Sequence, residues 1–136
     1  MSGSDTRNEA RLYFLPIILG NGRQAHRTSA LLFSRFGIVS HIFSQKRSLL
    51  DLIDPCSRHV KLISLHDSLV CEQLCTIASE RPYNLALLIP TTEELELFVK
   101  RNQSSLEPHF LICSADTSSD RHPASIIRRT YSDERR

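Results

Sequence analysis

The sequence has no large excess of charge of either sign, since 17 lysines and arginines stand against 15 acidic residues, for a formal net charge of +2. This balance argues against nucleic acid and anionic membrane surfaces as partners. No apolar run approaches the roughly 20 residues of a transmembrane helix, so we expect no membrane partner. Residues 1–12 hold no apolar stretch of the secretory kind. These absences predict a cytoplasmic protein.

Spaced metal-ligand motifs are also missing. Cys71 and Cys75 lie one helical turn apart, outside any C-x-x-C knuckle, and the six histidines form no H-x-x-x-H pair. Cys75 and Cys113 sit among apolar residues, which is typical of buried filler rather than of a nucleophile. Without an export signal, all four cysteines are expected to be reduced thiols. We therefore expect no metal site and no catalytic cysteine.

Composition and length fit one globular domain. Hydrophobic residues make up 40% of the chain and charged residues 24%, and 136 residues can bury a core without disulfides or metals. We predict a flexible N-terminus over residues 1–12, an α/β domain over 13–113 and a Ser-rich, charged tail over 114–136. The tail is predicted to be a loop or a truncated linker, in which Ile126 and Ile127 start at most a short helix.

Strand and helix patterns alternate along the middle of the chain. The predicted strands are five apolar segments, residues 13–19, 38–43, 60–65, 85–89 and 110–113. The predicted helices are residues 24–36, a short turn over 49–53, 68–80, and a segment from Thr92 to about 103. Short β-α-β units favour parallel pairing with right-handed crossovers. The sequence therefore predicts a single Rossmann-like α/β domain, with an open, mostly parallel sheet of about five strands flanked by helices.

Local signals set several boundaries of these elements. Pro16 has no N–H to donate, so the first strand starts near Ile17 or its early part is unpaired. Gly37 is placed to end the first helix. Asp67 is predicted to be an N-cap. Thr91 begins a capping box, with its partner glutamate three residues later.

The first candidate site is the turn Gly20-Asn21-Gly22-Arg23, which follows a strand and opens a helix. Glycines make such a turn tight and let backbone N–H groups approach an anion at the positive end of the helix. Together with Ala25, the turn fits a G-x-G-x-x-A fingerprint. A tight turn that binds nothing fits the same residues.

The fingerprint leaves a dinucleotide as an alternative ligand. A site for NAD needs an acid at the end of the second strand, where this sequence has Lys46 and Arg47. Two cations there suit the 2′-phosphate of NADP, so an NADP-type binding domain is the alternative interpretation. A solvated basic loop explains the same two residues.

Two further segments are candidates. Ser57 and Arg58 are predicted to lie in a loop, where Arg58 has the geometry to bind a carboxylate or phosphate, although an exposed arginine is the simpler explanation. Thr91, Thr92 and Glu94 follow the fourth predicted strand, at the end where ligands bind in open α/β sheets. Helix capping explains Thr91 and Glu94 without a ligand.

The order of these segments resembles the pre-ATP-grasp domain of ATP-grasp superfamily carboxylate–amine ligases. In that domain a glycine turn, a Ser-Arg-aromatic motif and a Pro-Thr-Ser-Asp-Glu-like motif recur in this order. The three matching segments here are Ile-Leu-Gly-Asn-Gly-Arg-Gln-Ala, Cys-Ser-Arg-His-Val-Lys and Leu-Leu-Ile-Pro-Thr-Thr-Glu-Glu-Leu-Glu-Leu-Phe-Val, and Arg-Asn-Gln-Ser-Ser-Leu-Glu-Pro-His-Phe follows them. The resemblance covers residues 13–113. His59 stands where an aromatic residue is usual, and Thr92-Glu93 replaces Ser-Asp.

The resemblance implies a substrate-side domain at the edge of a ligase active site. The residues that it assigns to ligand binding are Gly20, Asn21, Gly22, Arg23, Ser57, Arg58, Thr91, Thr92 and Glu94. In such ligases the following domains hold ATP and magnesium, activate a carboxylate as an acyl phosphate and pass it to an amine. Those domains, missing from these 136 residues, or a ligase partner are the implied partners, so this chain alone is expected to be inactive and without a cofactor. An interaction module that forms a homodimer is a further alternative.

Overall fold

The computed structural model describes residues 13–46, 48–62, 66–80 and 84–134. The strands are β1 (Phe14–Leu19), β2 (Ser40–Ser44), β3 (Ser57–Lys61), β4 (Leu85–Pro90) and β5 (Leu111–Ile112). The helices are α1 (Arg23–Phe36), α2 (Leu49–Ile53), α3 (Asp67–Ser79), α4 (Glu93–Arg101), α5 (Gln103–Leu106) and α6 (Pro123–Glu134). The predicted N-terminal segment 1–12, Arg47 and residues 63–65 lie outside the described residues.

The five strands form one open sheet in the order β3-β2-β1-β4-β5, and every pairing between neighbours is parallel. The predicted α/β class with an open, parallel sheet flanked by helices is therefore confirmed. From β1 the chain adds β2 and β3 on one side, and it then crosses back to place β4 and β5 on the other side of β1. The switch point of the sheet therefore lies between β1 and β4. In open α/β sheets the crevice at such a switch point, beyond the carboxyl ends of the strands, is the usual ligand site.

Helices cover both faces of the sheet. Because successive side chains of a strand point to opposite faces, each buried strand contributes to two core clusters. Phe14 and Ile18 of β1 join the core under α1 and α6. Leu15, Ile17 and Leu19 join the core under α3, α4 and α5. All six residues of β1 are buried, as the near-continuous apolar run predicts for a strand covered on both faces.

Pro16 lies inside β1, which begins at Phe14 rather than near Ile17. Pairing with β4 runs the whole length of β1, whereas pairing with β2 starts only at Ile17. The N–H of Gly20 donates to Phe43 O at 2.9 Å, so even-numbered residues of β1 face β2. The nitrogen of Pro16 therefore points toward the β2 side, where β1 has no partner before Ile17, so the missing N–H costs no hydrogen bond between strands.

β3 begins at Ser57, three residues before the predicted start at residue 60, so Ser57 and Arg58 lie in a strand and not in a loop. The segment was missed because β3 is an edge strand, where polar and charged residues are common. Within β3, the side chains of Arg58 and Lys61 are exposed, and Val60 packs against the core on the α3 side.

Two predicted helix caps are wrong by one residue. His66 is the N-cap of α3, and the carboxylate of Asp67 instead accepts from Asn102 Nδ2 at 2.9 Å. Thr92 is the N-cap of α4, where its hydroxyl accepts from the Leu95 N–H at 3.2 Å. With Leu95 at the third helical position, no capping box with Glu94 forms.

The segment after β5 contributes to the core. Residues 114–122 form the predicted loop, but α6 then runs for 12 residues, well beyond the short helix predicted at Ile126. Ala124 and Ile127 of α6 are buried in the same core cluster as α1. Apolar residues three positions apart suffice for a helix when its inner face packs on a sheet. None of the helices in the described part of the chain combines the length and apolar character needed to span a bilayer.

Candidate functional site

The switch point is built from the ends of β1 and β4. Thr91, the residue after β4, donates its hydroxyl to the carbonyl of Leu19, the last residue of β1, at 2.6 Å. Gly20 follows with φ of 105°, and a Cβ there would lie 2.5 Å from Thr91 Oγ1. Only glycine fits this position, because a side chain would meet both backbone strain and the threonine.

Gly22 leaves the amino end of α1 open. It is the N-cap of α1, no side chain caps the helix, and the first turn carries no acid. A Cβ on Gly22 would meet no atom within 4 Å. The first N–H groups of a helix have no partner within the helix, and the helix dipole makes this end positive. With Arg23 exposed beside it, the turn is suited to a carboxylate or phosphate.

The remaining residues of the fingerprint hold the turn in place. Ala25 is buried, so its small side chain lets α1 approach the sheet. Asn21 donates from Nδ2 to Lys46 O at 2.6 Å, which ties the turn to the loop after β2. An open cleft of about 630 Å³ lies beside this loop, lined by Gln45, Lys46, His59 and Lys61.

The amino end of α4 lies at the same edge of the sheet, but its own side chains already cap it and neutralise its partial positive charge. Thr92 caps it, and Glu93, Glu94 and Glu96 occupy its first turn. Carboxylates there interact favourably with the helix dipole and repel an anionic ligand. Glu94 also lines a smaller cleft of about 200 Å³ together with Arg101.

The structure gathers seven of the nine predicted residues at the carboxyl edge of the sheet. Ser57 and Arg58 are the two exceptions, since they begin β3 at the opposite end of the strands. They also point to opposite faces, as neighbouring residues of a strand do. Ser57 donates to Asp54 Oδ2 at 2.8 Å, and Arg58 is exposed.

A buried polar network that the sequence analysis missed lies between α1 and α2. His26 of α1 places Nδ1 2.5 Å from Asp54 Oδ2 and Nε2 3.0 Å from Asp51 Oδ1. The Asp51 side chain is fully buried, and those of His26 and Asp54 are nearly so. Both ring nitrogens of His26 are thus engaged, one by each carboxylate. The network fixes α2 against α1.

Each carboxylate has further donors. Ser48 donates its N–H to Asp51 Oδ2 at 2.6 Å in a capping box at the start of α2. Partial burial raises the pKa of Asp54, but hydrogen bonds from His26, the Cys56 N–H and Ser57 outweigh it and bring the pKa below its ordinary value. The spacing Ser-x-x-Asp at 48–51, which is that of a capping box, is a sequence signal that could have marked the start of α2.

Ser44, His59 and Asp51 lie close together without forming a nucleophile. His59 Nε2 is 2.6 Å from Ser44 Oγ and 3.9 Å from Asp51 Oδ2, so the serine and the aspartate approach the same ring nitrogen. A catalytic triad needs them on opposite nitrogens. The Ser44 hydroxyl donates to Lys46 O at 2.9 Å, which leaves no proton for His59 to take.

Neither the cysteines nor the potential metal ligands of the described residues form a second candidate site. Burial raises the pKa of Cys113 to about 12 and outweighs the opposing charge of Arg121, so this thiol is inert. Across residues 13–46, 48–62, 66–80 and 84–134, no group of three or more His, Cys, Asp or Glu residues could hold a metal ion.

The carboxyl edge at the α1 turn is therefore the best-formed candidate site in the described part of the chain. Comparison of the chain with protein-family models, with curated proteins and with solved structures gives no match.

Proposed function

We propose that this domain binds the carboxylate or phosphate of a small ligand at the glycine turn, as the substrate-side domain of an ATP-grasp-type carboxylate–amine ligase. One observation carries the ligand class, namely the uncapped amino end of α1 at the switch point, with open space over Gly22. The ligase assignment rests on the order of motifs in the sequence. Ligand contacts by Ser57 and Arg58 stay a prediction from that resemblance.

The two glycines have separate roles in this proposal. Gly20 lets β1 turn under Thr91, and Gly22 keeps the space above the helix end free for the ligand. The N–H groups of the first turn of α1 then donate to the anion, and the exposed Arg23 adds a positive charge. ATP and magnesium belong to the ATP-grasp domains or a ligase partner, so we expect no ATP-dependent ligation by this chain alone.

A thermal-shift titration of the full chain with inorganic phosphate, a panel of amino acids, ATP–magnesium and NADPH tests the ligand class, because a ligand of the native state raises the melting temperature. We expect a shift with an amino acid or phosphate. The variant Gly22→Asp, which places a carboxylate where the ligand would sit, should lose that shift. Thr92→Asp makes the same change at the N-cap of α4 and should keep it. No shift with any anion would refute the proposal.

An NADP-type site is the second candidate, favoured by the basic cleft after β2. Lys46 and Lys61 line this cleft, and the Asn21–Lys46 hydrogen bond joins it to the glycine turn. In dinucleotide-binding domains the end of the second strand holds the adenosine ribose or its 2′-phosphate. NADPH binding that is lost in Lys46→Glu/Arg47→Glu would favour this candidate over the ligase, whereas equal binding of NADH and NADPH would count against it.

A further inference from the structure

Helix α2 is arranged with its acid inside and its apolar residues outside. Asp51 is fully buried in the network with His26, whereas Leu49, Leu52 and Ile53 are 74%, 64% and 68% exposed. Leu50 is also exposed. Single exposed apolar residues are common on protein surfaces, but four of them on one five-residue helix form a patch of the kind that marks an interaction site.

The network explains why the patch is stable in this orientation. Two carboxylates of the α2 segment bond to His26, and Ser48 caps the helix, so turning the leucines inward would bury them at the cost of unpaired charges. The apolar side chains are thus held outward by the fold and are not a frayed surface.

The patch adjoins an open edge of the sheet. α2 contacts β3, and among the described residues β3 pairs only with β2. Cys56 O accepts from the Ser40 N–H, and the Leu62 N–H donates to Ser44 O, so even-numbered residues of this strand face β2. The backbone groups of Ser57 and His59 and the N–H of Lys61 therefore face away from the sheet, as a row that another strand can pair with. The Lys61 carbonyl also faces outward but accepts from Gln73 Nε2 at 2.9 Å, a side-chain bond that the strand pairing would replace.

We propose that the occupant of this surface is a second copy of the chain, in a two-fold dimer that pairs β3 with β3 in antiparallel fashion and packs α2 on α2. A two-fold axis normal to the sheet reverses the strand direction and keeps both copies of α2 on the same face, so the two patches meet above the seam. One continuous ten-stranded sheet results.

Charge and area both suit a second copy. With His59 on the axis and opposite its own copy, Arg58 lies opposite Val60 of the other copy and Lys61 lies opposite Ser57, so no lysine or arginine faces another across the seam. The four apolar side chains expose on the order of 400 Å², about half of the roughly 800 Å² that each partner buries in a standard interface. The outer edge of β3 and the exposed Phe33, on the same side of α1 as His26, supply further area. The dimer does not depend on the ligand proposed for the glycine turn.

Sedimentation velocity of the full chain over a wide concentration range tests the dimer. We expect a reversible dimer, and Leu52→Glu/Ile53→Glu should weaken it about a hundredfold or more, since these residues would lie at the centre of the interface. Leu97→Glu is the matched control, because Leu97 is similarly exposed on α4, which covers the opposite face, and should leave the dimer intact. Circular dichroism shows whether each variant folds.

A second variant tests the strand pairing. Lys61→Pro removes an N–H that faces away from β2, so the sheet within one chain keeps its ladder while the edge loses a donor. We expect it to weaken the dimer as well. A wild-type monomer at all concentrations would overturn the proposal and leave the patch to a different protein. A dimer that survives Leu52→Glu/Ile53→Glu, or one that is indifferent to Lys61→Pro, would also overturn it.

Discussion

The two helices that begin at the switch point, α1 and α4, treat their amino ends in opposite ways. α4 has a threonine cap and three glutamates in its first turn, whereas α1 has a glycine, no side-chain cap and Arg23. The chain thus neutralises one positive helix end by itself and leaves the other open at the same edge of the sheet. This contrast supports our proposal that the open end of α1 accepts an anionic ligand, since the glutamates in the first turn of α4 disfavour one there.

The contrast extends to the fourth residue of each helix. His26 of α1 is buried between two carboxylates, whereas Glu96, at the equivalent position of α4, is exposed. At this position the polar side chain of α1 is therefore buried, and that of α4 faces the solvent. Substitutions around the two helices test this difference, from the largest expected effect to the smallest.

Removing the buried histidine should have the largest effect. His26→Ala leaves the buried carboxylates of Asp51 and Asp54 without the imidazole that bridges them, and a buried charge that loses its partner costs about 3–5 kcal/mol of unfolding free energy. Urea denaturation measures the loss. Glu96→Ala at the equivalent position of α4 should change the free energy by less than about 0.5 kcal/mol. Equal effects of the two substitutions would remove this distinction between the two helices.

The two glycines of the turn should differ sharply. Gly20→Ala forces a side chain into a left-handed conformation and against Thr91 Oγ1, which we expect to cost about 2–4 kcal/mol. Gly22→Ala adds a methyl group in open space and should cost less than about 1 kcal/mol. Urea denaturation of both variants checks the order, and a Gly20→Ala variant as stable as the wild type would contradict the geometry.

Low pH should lower the free energy of unfolding, because the Asp54 carboxylate becomes protonated. Because its folded-state pKa is lowered, its carboxylate contributes stability in full above the unfolded pKa of about 3.9. That contribution is lost as the pH falls from the unfolded pKa through the lower folded-state pKa, with a slope of at most about 1.4 kcal/mol per pH unit. Unfolding free energies measured from pH 6 downward should fall less steeply in Asp54→Asn than in the wild type. Parallel profiles would show that Asp54 does not contribute.

The caps should give the smallest effects. Thr92→Ala removes the hydroxyl that accepts from the Leu95 N–H, and we expect a loss of about 1 kcal/mol. Gly22→Ser makes the reverse change at α1 and should gain only a few tenths of a kcal/mol, because glycine is already a tolerable cap. Thermal denaturation of both variants measures the pair, and no loss in Thr92→Ala would mean that α4 is not capped as described.

Most of the fold follows from local patterns in the sequence. The helical period of α1 and the glycine at residue 37, which has φ of 69°, defined that helix well, and the apolar runs of β1 and β4 defined the central strands. β3 was placed three residues late, since an edge strand carries polar residues and shows no apolar run. The extent of α6 was missed because its inner face is apolar at few positions.

The site was only partly predictable for a different reason. The glycine turn is a contiguous motif, so its position and its backbone roles could be inferred from sequence. The contacts among His26, Asp51 and Asp54 join residues 25 and 28 positions apart, and no spacing rule connects them. The outward orientation of the leucines in α2 depends on those contacts. An apolar segment next to a strand is otherwise expected to face the core.

An NMR titration of the ¹⁵N-labelled chain with inorganic phosphate, at constant ionic strength, tests the difference between the two helix ends most directly. We predict that the amide signals of Gly22, Arg23 and Gln24 shift with a common saturation curve, while those of Glu93 and Glu94 stay in place. Shifts of equal size at both helix ends, or none at Gly22, Arg23 and Gln24, would contradict the claim that the amino end of α1 is an anion site.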